Sequence, residues 1–435
     1  MSGLPNVGAA AILGIAASLA AALWTRADPA AGPNAELEAQ VLMQTIDAHE
    51  RRLEVDPRNP IVAAALVRHH MVAFQLDNEL THLERATTLA EGLLPTALDR
   101  AAAHARVAAA RLSLHDFRGA LDAARNAVAG DSSDEAALGT LFDATTAAGA
   151  YDEAERALTA LRKAHPRTLA THLRHARWLE AKGTAGEAFT RLEPACRRLR
   201  ARAVRRQLVA WCETILGGFD GAAGDLEREA AWYRQALATQ PGYLPAIEGL
   251  AGIAYRRSEW ERAATLYRTI LTDAHPDLHL RLAEVMRAMG DERAADAHEQ
   301  RFVRLVSTSR ARALHAHELA LFLSSHPERR DEALEVIMRD VAVRRSVEAL
   351  EVLAWVHLAR GELRQALGAS AAARSRGAPD ATSDYTLARI LCASGRAEEA
   401  RPLLERALAN PSDLAPHARW DATRRTPVRC APRVA

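Results

Sequence analysis

Apolar residues recur along most of this chain at helical spacing, and the helical pattern itself recurs. Gly149-Ala150-Tyr151 is followed by Ala154, Leu158 and Pro166. Thirty-four residues earlier, Phe117, Ala120 and Ala124 stand in the places of Tyr151, Ala154 and Leu158, and one step further back stand Leu83, Ala86 and Ala90. A second block relates Leu226, Tyr233, Ala236 and Pro241 to Trp260, Tyr267, Ile270 and His275. A third relates Gly361, Leu363, Ala366 and Ala373 to Gly395, Ala397, Ala400 and Ala407. Apolar residues three and four apart predict amphipathic helices. A period of this length predicts one helix pair per unit, and such a pair cannot bury its apolar faces alone. Stacking of successive pairs is then the core. The small residues Ala120, Ala154, Ala188, Ala263, Ala366 and Ala400 are placed where two helices cross most closely, and Phe117, Tyr151 and Trp260 wedge against the next unit. Pro166, Pro241, Pro276, Pro379 and Pro411 mark junctions where a helix must stop.

The units so read are 101–134, 135–168, 169–202, 210–243, 244–277, 347–380 and 381–414, with degenerate copies at about 67–100, 278–311 and 312–346. Residues 35–66 are expected to form capping helices, with Leu37, Val41, Leu42 and Ile46 on one face of the first. The array divides into 67–202, 203–346 (which carries an insertion) and 347–414. The insertion falls before or within 208–225. Its glycines, Gly217, Gly218, Gly221 and Gly224, predict an elongated turn, with a hinge or binding loop as the alternative.

This spacing resembles the tetratricopeptide repeat, most clearly at Glu135 to Thr168 and Leu244 to Asp277. The resemblance covers about residues 60–414. It implies an all-α, right-handed superhelical solenoid of about ten antiparallel helix pairs, with a protein or peptide ligand in the concave groove. By the family's inward-facing positions, the groove candidates are Leu173, Arg177, Glu248, Tyr255, Glu351, Trp355, Tyr385 and Arg389. Trp355 and Tyr385 are the candidates for apolar peptide contact, although Trp355 beside Ala354 also suits helix packing. The family's chaperone-binding branch holds a peptide carboxylate with a Lys/Asn clamp. Here the ninth position is Ala109, Asp143, Arg177, Gly218, Gly252, Trp355 or Arg389, never Asn, so that role is disfavoured.

Composition narrows the chemistry. Lys and Arg number 56 against 55 Asp and Glu, a net charge of +1 over 435 residues, and aromatics are 5%. A nucleic-acid binder needs a basic surplus and rings for stacking, so nucleic acid is not expected as a partner. No phosphate loop, zinc ribbon, HExxH or GxSxG occurs. No catalytic residue, metal site or cofactor is expected. Cys196 and Cys212 fall on consecutive helices; a disulfide between them would require an oxidising compartment. The pairs His172/His175 and His315/His317 read as surface or inter-helix histidines.

The two ends differ from the body. Residues 1–27 contain Val7 to Trp24, 18 residues without charge, long enough to cross a bilayer as a helix. It reads as a membrane anchor, with a cleaved signal segment or a buried helix as alternatives. Flanking charge is close to a tie, and the very short N-terminal tail leans the orientation slightly toward an extracytoplasmic body. Residues 28–34 form a Pro/Gly/Ala linker. The tail, 415–435, is basic and interrupted by proline. Trp420, Arg424, Arg425 and Arg429 are its docking candidates for an acidic partner or anionic lipid, and a solvated tail after a capping helix is the alternative. The expectation is a bacterial single-pass membrane protein whose repeat body acts as a non-enzymatic scaffold in envelope assembly or regulation. An exported soluble binding protein is the second reading, and a non-catalytic subunit of an enzyme complex the third.

Overall fold

A computed structural model describes residues 35–77, 79–95, 97, 99–201, 206–222 and 224–424. The anchor candidate at 7–24 lies outside them. Among the described residues, no helix is long and apolar enough to cross a membrane.

The described chain is helical throughout. One helix, Ala35–Val55, precedes ten successive pairs. The first pair is Pro60–Asp77 with Leu80–Leu93, so pairing begins several residues before the expected unit at 67. Regular pairs follow, such as Glu135–Ala148 with Tyr151–Ala164 and Val347–Ala359 with Leu363–Arg374. The last is Ala381–Ala393 with Ala397–Leu408. In the pair spanning 309–341 the first helix is broken into Ser309–Leu314 and Ala316–Ser324.

Local chemistry accounts for the boundaries. Asp134, Thr168, Ser346 and Asp380 each cap a first helix by accepting from the backbone N–H three residues on. Turns within the pairs close through a left-handed residue, as at Gly149, Gly183, Gly361 and Gly395, with His115 and Ser258 in the same role. The six alanines placed at close crossings are all completely buried. Glu229 holds the equivalent position after the insertion. It is buried, accepts from the Tyr233 hydroxyl at 3.0 Å and pairs with Arg256.

The insertion does not form the elongated turn expected of its glycines. It lengthens helices instead: Ala185–Ala201 and Arg206–Ala222 run 17 residues each, against 13 or 14 for regular neighbours such as Leu169–Ala181 and Glu135–Ala148. Gly217, Gly218 and Gly221 lie inside the second of them. A Cβ on Gly221 would overlap the Glu229 carboxylate, so glycine here makes room for a large residue at a crossing that alanine serves elsewhere. A disulfide, Cys196–Cys212, joins the two long helices with Cα atoms 5.8 Å apart.

The superhelix also touches itself. The Arg345 N–H donates to the Ala148 carbonyl at 3.0 Å, and the Val347 N–H to the Tyr151 hydroxyl at 3.0 Å. One unit along, the Ala378 N–H reaches the Ala181 carbonyl at 3.3 Å. In each case the turn inside one pair docks on a junction between pairs about six 34-residue repeats later. Arg344 lies over the Phe117 ring at 4.7 Å, and Arg310 pairs with Glu84. Behind the first contact, Asp340 is buried and accepts from Arg344 at 2.8 Å and from His317 at 3.0 Å. Burial pushes the Asp340 carboxyl up, but the His317 hydrogen bond and the Arg344 charge outweigh it and hold it below the usual range. Burial, reinforced by Arg344, pushes the adjacent His115 imidazole down to about 3.

Candidate functional site

First helices of the pairs carry the groove candidates, and the structure gives them different fates. Leu173 is fully buried in a cluster with Ala188, Leu192 and Cys212, so it has no surface to offer a ligand. Arg177 donates to Glu180 at 2.6 Å and lies 5.5 Å from the Phe219 ring, within one wall of the groove. Glu248 is reached by solvent but crowded by the superhelix. Its carboxyl is pushed up to about 7, by desolvation and then by Asp277, against the opposing charge of Arg281. Glu351 is also pushed well up, by desolvation, then Asp380 and Glu348.

Tyr255, Trp355, Tyr385 and Arg389 meet at one object, the terminal helix Pro416–Arg424. Arg419 lies 4.9 Å from the Tyr255 ring and 5.8 Å from that of Trp260. Its guanidinium also donates to the Tyr255 carbonyl and the Ser258 hydroxyl, both at 3.2 Å. His417 packs edge-on against Trp355 with ring centroids 4.6 Å apart. The Tyr385 hydroxyl donates to Asp421 at 2.9 Å, and Arg389 pairs with the same carboxylate. Tyr385 is thereby fully buried. The helix thus joins the last two pairs to Leu244–Arg256, far back along the chain.

This modifies the reading of the tail. Its first part is a packed helix and not a solvated arm. Trp420, expected to anchor a partner or lipid, is 39% exposed, and Arg419 and His417 hold the helix to the body. The Arg424 side chain and residues Arg425 and Arg429 lie outside the described residues. A signal was available: Ala415, Ala418 and Ala422 fall three and four apart, Leu414 stands four before Ala418, and all four are buried. The surrounding arginines mask that stripe.

Further carboxyls are perturbed on neighbouring first helices and their caps. Burial lifts Glu284 to about 7 and Asp380 to about 6. These carboxyls stand among arginines, and the charges of Arg281, Arg374 and Arg419 oppose the lift that burial gives them. Among the described residues, no group of three or more His, Cys, Asp or Glu side chains is arranged to hold a metal ion.

No protein-family model matches the chain, and no curated protein matches it significantly. Solved structures of helical-repeat proteins do. The type IV pilus biogenesis factor PilW is 16% identical over 50% of this chain and 99% of its own, with a TM-score of 0.40. Yeast Tom70 is 13% identical over 86% and 96%, at 0.41. Human IFIT1, solved as a dimer with PPP-AAAA, is 14% identical over 73% and 72%, at 0.46. The chain's own geometry is that of an all-α superhelical solenoid of helix pairs, a tetratricopeptide-like fold.

Proposed function

We propose that this protein is a scaffold that holds a helical segment of a partner protein against the concave face between Leu244–Arg256 and Ala381–Ala393. The observation that carries the reading is the terminal helix. It is a short helix held there by Tyr255, Trp355, Tyr385 and Arg389, the side chains that the repeat pattern assigns to ligand contact. A partner helix with similar aromatic, hydroxyl and carboxylate contacts competes for the same wall. The apolar segment 7–24 supports tethering to a membrane. The Cys196–Cys212 bond supports an oxidising, extracytoplasmic setting for the body, and both fit a role in assembling or regulating an envelope complex.

Site-specific photocrosslinking in intact cells tests the proposal. A crosslinker at Glu248 on the groove wall is expected to capture a partner that one at the exposed Glu405 does not, and Arg419→Ala is expected to increase the yield. Equal capture from both positions, or no effect of Arg419→Ala, refutes it.

A further inference from the structure

Away from the concave face, the edge between two successive pairs carries a cleft of ≈ 360 Å³. It lies among Tyr151–Ala164, Leu169–Ala181 and Ala185–Ala201. Arg162, Lys163 and Arg191 form its walls, and Thr171, His172 and His175 its inner side. No carboxylate lines it.

We propose that this cleft is an oxyanion site that takes a phosphate group, carried either by free phosphate or by the headgroup of an anionic phospholipid. Convergence of like charge is the first argument. Two nearby arginines are neutralised by a carboxylate, Arg125 by Glu153 at 2.7 Å and Arg177 by Glu180 at 2.6 Å. Arg162, Lys163 and Arg191 have no such partner among the described residues. The histidines register the resulting field. Burial drives His175 down to about 4, and Arg162, Arg191 and His172 all add to the depression with no acid opposing. His172 is lowered by burial, then Arg198 and Arg191.

The backbone points the same way. Thr171 and His172 belong to the first turn of Leu169–Ala181, which carries no acidic residue; their own N–H groups are held by the Thr168 hydroxyl and carbonyl, so the helix end contributes only its dipole. Arg162 and Lys163 stand in the last turn of Tyr151–Ala164 and complement its carbonyl end. Arg191, on a third helix, has no such structural task. Guanidinium forks on two walls match the oxygens of a phosphate better than ammonium groups alone. A water takes about 30 Å³ of liquid volume, so the cleft has room for a phosphate together with an ester arm.

The test uses the full chain and the double variant Arg162→Ala/Arg191→Ala. Both side chains are exposed, so the variant is expected to keep the thermal midpoint of the parent in phosphate-free buffer. Inorganic phosphate, titrated at constant ionic strength against chloride, is expected to shift the His175 ring resonances saturably and raise its titration midpoint. The double variant should weaken that response by roughly tenfold or more. Phosphatidylglycerol vesicles, compared with phosphatidylcholine vesicles, separate the two sources. A loss of the phosphatidylglycerol preference in the variant assigns the site to the headgroup, whereas a phosphate response without that loss assigns it to free phosphate. No saturable effect in either arm, or equal effects in parent and variant, overturns the proposal.

Discussion

Gly149 and Gly395 occupy the same turn position in their pairs, with φ of 78° and 77°. Their surroundings differ. A Cβ on Gly395 meets nothing within 4 Å, whereas one on Gly149 would overlap the carbonyl of Arg345 on the next superhelical turn. Alanine at either position bears the cost of a left-handed residue, about 1–2 kcal/mol, and that cost cancels in the comparison. At Gly149 the overlap is relieved only by lifting the turn off the junction. This strains or breaks the Arg345–Ala148 and Tyr151–Val347 hydrogen bonds. Each such bond contributes about 0.5–1.5 kcal/mol net. Gly149→Ala should therefore destabilise the chain by roughly 1–3 kcal/mol more than Gly395→Ala. Denaturant unfolding of both variants measures the difference, and hydrogen exchange at the Arg345 and Val347 amides locates it. Those amides should lose protection in Gly149→Ala only. Equal destabilisation with unchanged protection at 345 and 347 would refute the claim that successive turns of the superhelix support each other.

Three further predictions rest on separate contacts. Arg174 is 1% exposed and holds Asp143 through bonds of 3.0 and 2.6 Å. Asp143→Ala should cost about 3–5 kcal/mol by leaving a buried cation, while Asp143→Leu/Arg174→Met should be near neutral in the same unfolding assay. His115 and His417, both driven to about 3, stay neutral in the folded chain below the pH at which the unfolded chain takes up protons. Stability should therefore be full above about pH 6.5 and fall as the pH drops toward 3, and His115→Gln should flatten that slope; a slope unchanged by the substitution excludes His115 as its source. Arg419→Ala removes two ring contacts and three hydrogen bonds, two at 3.2 Å and one, to the Arg256 carbonyl, at 3.4 Å. The resulting loss of about 2–3 kcal/mol should appear as faster exchange of amides 416–424, with the first pairs unaffected.

Much of this architecture is local, and local features can be read from one dimension. The alanines at 120, 154 and 188 report a helix crossing because a crossing involves only two neighbouring helices. Caps such as Asp134 and Ser346 act over three residues, and the turn glycines over one. Local legibility ends where one residue type serves two purposes. The glycines of 217–221 suggested a loop, yet they provide close approach inside a helix, where Glu229 has replaced the usual alanine. The groove candidates were legible as positions but not as surfaces, since Leu173 faces its own core.

The helix pair, its length, its close contacts and its punctuation are written locally along the chain, because each depends on neighbours within about one repeat. That the solenoid meets itself, and that the terminal helix lies against Tyr255, Trp355 and Tyr385, emerges in three dimensions alone. Both outcomes depend on the sum of small rotations over several units, so contacts such as Tyr151–Val347, 196 residues apart, leave no periodic trace in the chain.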